Sequence, residues 1–326
     1  MAEKPSAITG AGTVNDPYIV HNYEEIKWAC EDAEAIPEGQ TTAVPVYLKL
    51  NNNIDCQDYA QDFEWEITCQ HALDIDLNNK TIKTFYIVER SYMFIIPSAA
   101  ANFSLHDGSI LNIYGNWFNP SEAIFSYTHN GNNALSITNV SMSINISQFS
   151  NTYGCIVYTT TSDTTSKRFT NCAITLEGVL NSACSSLFYG CGLFTCDIMC
   201  NVAFRSGGFV PIWTCILQDC RFQGLIDCSE VTGTWANGYF GTNIIARNCV
   251  FDLEMTIPTT WTKTIDFLSG TTSIYNYGIY NRDKLPANYS FNNTTYIECT
   301  TQDMDMRVNP HADVTLQGMG FDVIKG

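Results

Sequence analysis

The sequence predicts an all-β fold, a single-stranded right-handed parallel β-helix whose N-terminal end is closed by a helical cap. Three observations predict it. A strand pattern occurs five times, it returns at intervals of 24 to 32 residues, and a glycine-rich segment with a short amphipathic helix precedes it. A strand that returns at intervals of roughly 20–50 residues is typical of a solenoid built from one coil per repeat.

The repeat lies between residues 135 and 255. In each segment a small polar residue precedes a small apolar one, and a larger apolar residue follows two positions later. The polar positions are Asn139, Asn171, Thr195, Asp219 and Asn248, the small apolar ones Val140, Cys172, Cys196, Cys220 and Cys249, and the larger ones Met142, Ile174, Ile198, Phe222 and Phe251. Alternation with a period of two residues indicates a strand with one buried face. We therefore expect a column of Cys and Val side chains inside the coils.

Residues 1–45 are predicted to form the cap. Asn22 can cap a helix whose third following residue is Glu25, a pairing typical of helix starts. The helical face is expected to comprise Ile26, Cys30 and Ala33, and the cap core Ile26, Trp28 and Cys30. Such a helix would cover both the unpaired strand edge and the apolar lumen at the end of a solenoid.

Residues 46–299 are predicted to form the β-helix, with earlier coils around Leu77–Asn79–Ile82 and Leu105–Asp107–Ile110. Second strands precede the repeats by about a dozen residues, as expected for coils of two or three strands. They are expected at Ala123–Tyr127, Cys155–Tyr158, Ser186–Tyr189, Gly208–Ile212 and Gly238–Gly241. Longer polar loops are expected at 159–167, 229–238 and 256–264, where partners would bind. Residues 300–326 are expected to be a C-terminal cap or arm.

Two motifs near the N-terminus resemble those of right-handed β-helix proteins. The pattern G-x-G-T-x-x-x-P-Y-x-V spans Gly10 to Val20, and Asp76–Ile82 is similar to a D-G-N-G-H-T-I coil with Asn and Lys replacing Gly and His. Such segments occur in bacteriophage appendage or tailspike proteins and in bacterial surface proteins. The resemblance implies the fold, and it leaves the function open because this cap is found on proteins with many roles.

Charge excludes two classes of partner. The chain has 16 Lys and Arg against 33 Asp and Glu, a formal net charge of −17. Because binding to phosphates depends on Lys and Arg, we expect neither nucleic acid nor an anionic membrane surface as a partner. The plainer explanation of the excess of acidic residues is that their charge keeps the protein soluble.

The fourteen cysteines are expected to be reduced and buried. The start, MAEKPSAITG, lacks the basic and apolar regions of a secretion signal, and a thiol at an inward strand position behaves as a small hydrophobe. Zinc is the alternative, with candidate ligands at Cys191, Cys196, Cys200, Cys215 and Cys220. Their C-x4-C and C-x3-C spacings lack a C-x2-C pair or a nearby His, so no metal or other cofactor is expected.

Outward carboxylates are the candidates for catalysis, since paired carboxylates can split glycosidic bonds. Alternating pairs occur at Asp74 and Asp76, Asp303 and Asp305, and Glu64 and Glu66. The five histidines are scattered, and His106 beside Asp107 is expected to be a turn residue. Trp117, Trp213, Trp235 and Trp261 are candidates for stacking on sugars or for packing under loops. No residue is assigned a catalytic role, although a catalytic pair of carboxylates from two neighbouring coils is left open as an alternative.

The leading hypothesis is a bacteriophage virion structural protein, an appendage, fibre, spike or capsid-decorating protein that works by attachment without catalysis. It would be assembled in the host cytoplasm and reside in the virion, with other virion proteins, a homotrimer and a host surface glycan as expected partners. The alternatives are a polysaccharide depolymerase and a bacterial surface adhesin. Disulfides would favour the adhesin and free thiols the virion protein.

Overall fold

The computed structural model is a parallel β-helix with very little helix, as the sequence predicts. It describes residues 4–59, 65–87, 92–97, 102–115, 123–128, 133–148, 156–159, 163–180, 186–205, 212–231, 241–247, 249–256, 265–266, 268–269, 272–275, 289–290 and 294–296. Within these ranges every strand-to-strand pairing is parallel, which is the pattern expected when each coil stacks on the one before it.

The helical elements are α1 at Tyr23–Glu31 and three single turns of 3-10 helix at Ala33–Ala35, Cys56–Asp58 and Ile146–Gln148. The strands of the first half are β1 Tyr18–Val20, β2 Val46–Leu50, β3 Ile54–Asp55, β4 Ile67–Thr68, β5 Leu73–Asp76, β6 Thr81–Ile87, β7 Tyr92–Ile96, β8 Phe103–Gly115, β9 Ala123–Tyr127, β10 Leu135–Asn145, β11 Val157–Tyr158 and β12 Lys167–Thr170. The strands of the second half are β13 Ala173–Leu180, β14 Phe188–Tyr189, β15 Gly192–Phe194, β16 Asp197–Phe204, β17 Ile212–Trp213, β18 Ile216–Gln218, β19 Arg221–Asp227, β20 Gly241–Thr242, β21 Ile245–Arg247, β22 Val250–Thr256, β23 Ile265–Asp266, β24 Leu268–Ser269, β25 Thr272–Tyr275, β26 Tyr289–Ser290 and β27 Thr294–Tyr296.

Three ladders of strands run along the solenoid. The first joins β1, β2, β5, β8, β10, β12, β15, β18, β21, β25 and β27, and we call its outer surface face one. The second joins β3, β6, β8, β10, β13, β16, β19 and β22, and its outer surface is face two. The third side is formed by β4, β7, β9 and β11, and further along by β14, β17, β20 and β24.

A corner separates face one from face two, and in five successive coils a single residue makes it. These residues have left-handed backbone conformations with φ between 52° and 58° at Asp107, Asn139, Asn171, Thr195 and Asp219. Asn and Asp tolerate this conformation better than most residues. Asn171 Nδ2 donates to Asn139 Oδ1 at 2.7 Å, and Asn139 Nδ2 donates to Asp107 Oδ1 at 2.8 Å. The small polar residue of the repeat is therefore the corner residue.

The residue after each corner points inward and forms the predicted column. Val140, Cys172, Cys196, Cys220 and Cys249 are all buried. The thiols donate to backbone carbonyls of the preceding coil, as Cys196 Sγ does to Phe169 O at 3.5 Å and Cys220 Sγ to Leu193 O at 3.3 Å. The inward placement of the repeat cysteines is confirmed, because a thiol fills the tight corner and satisfies a carbonyl.

The N-terminal cap is built as predicted around α1. Asn22 Oδ1 accepts from the Glu25 backbone N–H at 2.9 Å, and Glu25 Oε2 accepts from the His21 N–H at 2.8 Å. Trp28 and Cys30 are buried, as is Ile26. The expected inward position of Ala33 is wrong: the α-helix ends at Glu31, and Ala33 is exposed in the 3-10 turn that follows.

The predicted second strands lie on the third side, and most are shorter than expected. Ala123–Tyr127 is found as predicted, whereas the next four strands have two residues each. The first residues of the predicted second strand at Cys155 and of the later ones at Gly208 and Gly238 lie outside the described residues, as does the tail 300–326. No helix in the described part of the chain is long and apolar enough to cross a membrane.

Candidate functional site

A charged cluster lies on face one near the cap, and it consists of Lys49, Asp74, Asp76, His106 and Asp107. Asp74 and Asp76 point outward from β5. The parallel register places Lys49 of β2 and His106 of β8 directly on either side of Asp76. Consecutive coils therefore bring together residues that are 27 and 30 positions apart in the sequence.

His106 is the centre of the charged cluster. Its Nε2 lies 2.9 Å from Asp74 Oδ1 and its Nδ1 lies 2.8 Å from Asp107 Oδ2. Lys49 Nζ lies 3.3 Å from Asp76 Oδ2. The expectation that His106 is a turn residue is wrong, because it occupies an outward strand position opposite Asp76. The turn is made by the next residue, Asp107, with φ of 58°.

The hydrogen bonds determine the charge of the cluster. The hydrogen bond to Asp74 raises the pKa of His106 to about 9, with a further contribution from Asp107 and an opposing one from partial burial. The pKa of Asp107 is lowered because Asn139 and His106 both donate to its carboxylate. At neutral pH, His106 is therefore an imidazolium held between two carboxylates. An imidazolium can donate a proton, but it cannot act as a general base.

The cluster also offers ligand atoms of the kind that bind metals. One ligand atom each from Asp76, His106 and Asp107 lie within 4.8 Å of one another, the one such group among the described residues. Imidazole nitrogen and carboxylate oxygen suit zinc and similar divalent ions. Both ring nitrogens, however, are already bonded to carboxylates. A metal ion would have to displace a proton and one of these bonds, so the geometry favours a salt-bridged cluster.

The five cysteines considered for zinc do not converge. Cys196 and Cys220 belong to the corner column, whereas Cys191 and Cys215 face each other in another part of the lumen with their sulfur atoms 3.8 Å apart. Cys200 points inward from the middle of β16. Burial raises the pKa of the Cys200 thiol to about 12. Because the five thiols lie at separate positions of the lumen, they do not form the four-ligand shell that zinc requires.

The remaining candidates of the sequence are dispersed. His21 bonds Glu25 in the cap, His71 is buried with Nε2 bonded to the Ala29 carbonyl, and Trp213 is half-buried with its ring edge-on to Tyr189 at 5.4 Å. The other candidates lie outside the described residues: Glu64, Trp117, His129, Trp235, Trp261, Asp303, Asp305 and His311. The Asp74–Asp76 pair is thus the one that the structure places in a constellation.

A buried lysine was not anticipated. The loop predicted at 159–167 ends earlier, and Lys167 begins β12 at an inward position opposite Leu135 of β10. Its side chain is fully buried, with Nζ 5.6 Å from the centre of the Tyr127 ring. Burial lowers the pKa of Lys167. The alternation of the segment Lys167–Arg168–Phe169 would have revealed this, because Phe169 and Lys167 share one face.

Sequence patterns do not identify Lys49 or His106 as members of the charged cluster. Both stand at outward positions whose partners come from another coil, so only the register of the coils identifies them. Outward residues do not follow the apolar repeat. The available signal was the recurrence of charged residues at the same offset from inward leucines and isoleucines, as in Leu48–Lys49 and Ile75–Asp76.

Comparisons with known proteins add little. No protein-family model and no curated protein matches the chain. One solved structure, described as a "putative immunoglobulin A1 protease" from Bacteroides ovatus, is similar with a TM-score of 0.44 and 15% sequence identity. The match covers 75% of this chain and 79% of that chain. The fold of the present chain rests on its own strand pairings.

Proposed function

We propose that this chain is a non-catalytic structural protein of a bacteriophage particle, a β-helical rod that serves in attachment or in particle assembly. One observation carries the proposal: a capped solenoid whose lumen, in the coils described up to Leu253, is filled by apolar columns and buried single thiols. Parallel pairing of each coil with its neighbours makes a stiff rod that holds surface residues at fixed spacing. A rigid rod that presents surface residues at regular spacing is better suited to binding another molecule than to catalysis.

The thiols support assembly in a reducing compartment. The eleven described cysteines are free and buried, and Cys191 and Cys215 lie in contact without a bond between them. Disulfides persist in secreted proteins, and proteins made and kept in a cytosol retain their thiols. A virion protein that folds inside the host cell meets this condition. A surface adhesin exported as a folded domain would meet an oxidising environment.

The test is the presence of the chain in purified particles. Particles banded by density and digested with trypsin should yield the peptides 206–221 and 222–247 at a fixed stoichiometry to the capsid protein. The same preparation, alkylated before and after reduction, reports the redox state of the cysteines. Absence of the chain from infectious particles would contradict the virion role, and extensive disulfides would favour the adhesin.

A polysaccharide depolymerase is the second candidate, and the charged cluster favours it. Asp74, Asp76 and Asp107 lie close together on an exposed face beside an imidazolium that can protonate a leaving group. Incubation with purified host glycans should then release reducing ends or unsaturated uronates. Loss of this activity in Asp74→Asn and Asp76→Asn would assign the acids. Equal activity in both variants and the unaltered chain would remove the charged cluster from consideration.

A further inference from the structure

The connection between β4 and β5, residues 69–72, holds the C-terminal end of α1. The last four carbonyl groups of a helix lack partners within the helix, and this connection bonds two of them in α1. His71 Nε2 donates to the Ala29 carbonyl oxygen at 2.9 Å, and the Gln70 N–H donates to the Cys30 carbonyl oxygen at 3.0 Å. His71 is therefore part of the attachment of the cap to the first coil.

The imidazole of His71 is neutral in the closed cap. Because a carbonyl oxygen only accepts, Nε2 carries the hydrogen and Nδ1 carries a lone pair. The residue is 1% exposed, and Nδ1 bonds none of the described residues. A proton at Nδ1 would create a buried cation with an unpaired donor, which is costly. The bond to Ala29 at the negative end of the helix favours the cation, but burial outweighs it and lowers the pKa of His71.

The charged groups of α1 are paired with other partners. Lys27 Nζ lies 3.7 Å from Glu31 Oε1, and this carboxylate oxygen also accepts from a backbone N–H of β4 at 2.9 Å. The same ammonium group donates to the Glu66 carbonyl oxygen at 3.1 Å. At the other end of the helix, Glu25 Oε2 lies 2.9 Å from His21 Nδ1. The carboxylates of α1 are thus engaged away from the His71 ring.

The other segments around His71 offer it no counter-charge either. The thiols of Cys30 and Cys69 are buried, and burial raises their pKa, so both are uncharged. Asp74 points outward from β5 and bonds His106. The segment 36–45, which bonds Ala72 through a backbone carbonyl, carries Glu38 at an exposed position. In the described part of the chain, no side-chain charge offsets the burial of the ring.

The closed cap excludes a proton that an open cap would bind. A hydrated imidazole has the ordinary pKa of 6.5, and the buried ring of His71 has a lower one. The stability of the closed cap is therefore greatest above pH 6.5, and it decreases as the pH falls below this value. His106, with a pKa of about 9, keeps its proton throughout this range, so the charged cluster does not change.

We propose that mild acid opens the N-terminal cap through protonation of His71 at Nδ1. The proton is taken up readily only where water reaches the ring, and the ring is covered by the end of α1 to which it bonds. Opening breaks the bonds to the Ala29 and Cys30 carbonyls and exposes the buried side chains of Ile26 and Trp28. An apolar surface that is covered at neutral pH thus becomes available to a partner in acidic surroundings. The inference does not depend on the virion role.

Hydrogen exchange of the full chain at pH 7 and pH 5, followed by mass spectrometry, tests the proposal. Protection factors, which correct for the pH dependence of exchange itself, should fall about tenfold at pH 5 for the amides of α1 and of Gln70. This factor is expected for a group with an ordinary pKa of 6.5 that is kept neutral in the closed cap. Amides of β13 and β16, in the middle of the solenoid, should keep their protection.

Two variants separate His71 from the other groups of the cap. His71→Gln keeps a donor for the Ala29 carbonyl but has no titratable ring, so the protection of α1 should be the same at both pH values. His21→Gln removes the ring that bonds Glu25 and should leave the pH dependence intact. Circular dichroism at pH 7 checks that both variants are folded.

Three results would overturn the proposal. The first is equal protection of α1 at both pH values in the unaltered chain. The second is an unchanged pH dependence in His71→Gln, which would assign the acid sensitivity to the carboxylates of the cap. Exchange of the ring C2 hydrogen in the unaltered chain gives the pKa of His71 even if the glutamine variant does not fold. A pKa at or above 6.5 is the third.

Discussion

At the scale of single residues, His106 shows how one side chain ties two coils together. It bonds Asp74 of the preceding coil and Asp107 of its own, and Asn139 of the next coil bonds Asp107 in turn. Removing His106 would leave Asp74 and Asp107 facing each other across the coils without a cation between them. The contribution is moderate, because the imidazole side chain is about one-quarter exposed and water screens the charges.

We predict that His106 makes stability depend on pH. Its pKa is about 9 in the folded chain, against the ordinary histidine value of 6.5 that applies to the unfolded chain. Because folding raises this pKa, the protonated imidazole stabilises the fold fully below pH 6.5, and this stabilisation is lost as the pH rises through 9. The difference in unfolding free energy between the unaltered chain and His106→Gln should be about 1 kcal/mol at pH 6 and vanish by pH 10. Urea unfolding of both chains across this range measures it, and a constant difference would contradict the prediction.

Thr195 is the corner residue with the most strained backbone. It adopts a φ of 54°, which is costly for a β-branched residue, and it interrupts a row otherwise made of Asn and Asp. We predict that Thr195→Asn stabilises the chain by about 1 kcal/mol, because Asn tolerates this conformation and its amide can join the row. Asn171→Val, which places a β-branched residue at the corner one coil earlier, should destabilise by about 2 kcal/mol. Thermal unfolding of the two variants tests both signs, and a destabilised Thr195→Asn would refute the strain.

At the scale of elements, α1 is stable because it is capped and covered at once. Its first turn is closed by Asn22 and Glu25, and its buried face packs on the first coil. The Cys30 carbonyl accepts from the Gln70 N–H at 3.0 Å, and Glu31 Oε1 accepts from the Thr68 N–H at 2.9 Å. The cap thus supplies hydrogen bonds to strand edges that would otherwise be open.

We predict that Asn22→Ala destabilises the cap by about 1 kcal/mol, since the Glu25 N–H loses its acceptor. Asn22→Asp should be neutral, because a carboxylate also accepts this hydrogen bond and is favourable at a helix N-terminus. Hydrogen exchange of amides in α1 should accelerate in the alanine variant alone. Equal exchange in both variants would show that packing, not the cap residue, sets the stability of α1.

At the scale of the whole molecule, the core is a set of columns that run through every described coil. One column contains Leu48, Ile75, Leu105, Ile137 and Phe169, all of them buried. Each coil contacts only its neighbours, so local openings would expose the ends before the middle. The thiols of the corner column lie in the protected middle.

We therefore predict that the eleven described thiols are labelled only when the solenoid unfolds. All eleven are buried, so a reagent reaches them only through an opening of the coils. At Cys200 and Cys228 burial also raises the thiol pKa to about 12, which makes the reactive thiolate scarce at these two positions. Labelling with iodoacetamide, followed by peptide mapping, should proceed at the rate of global unfolding in increasing urea. A thiol among the eleven that reacts rapidly in the folded chain would contradict continuous packing.

The sequence alone determined the fold class, the cap and the corner column. These features depend on local alternation and on the chemistry of single positions: an apolar residue every second place, an N-cap at Asn22, and a small polar residue before each inward Cys. The structure decided which outward residues meet. Asp76 is 27 positions from Lys49 and 30 from His106, and Arg168 and Glu177 lie on two faces of one coil. Solvent-exposed positions tolerate almost any polar residue, so outward side chains show no sequence pattern. Only the register between coils determines which of them lie together.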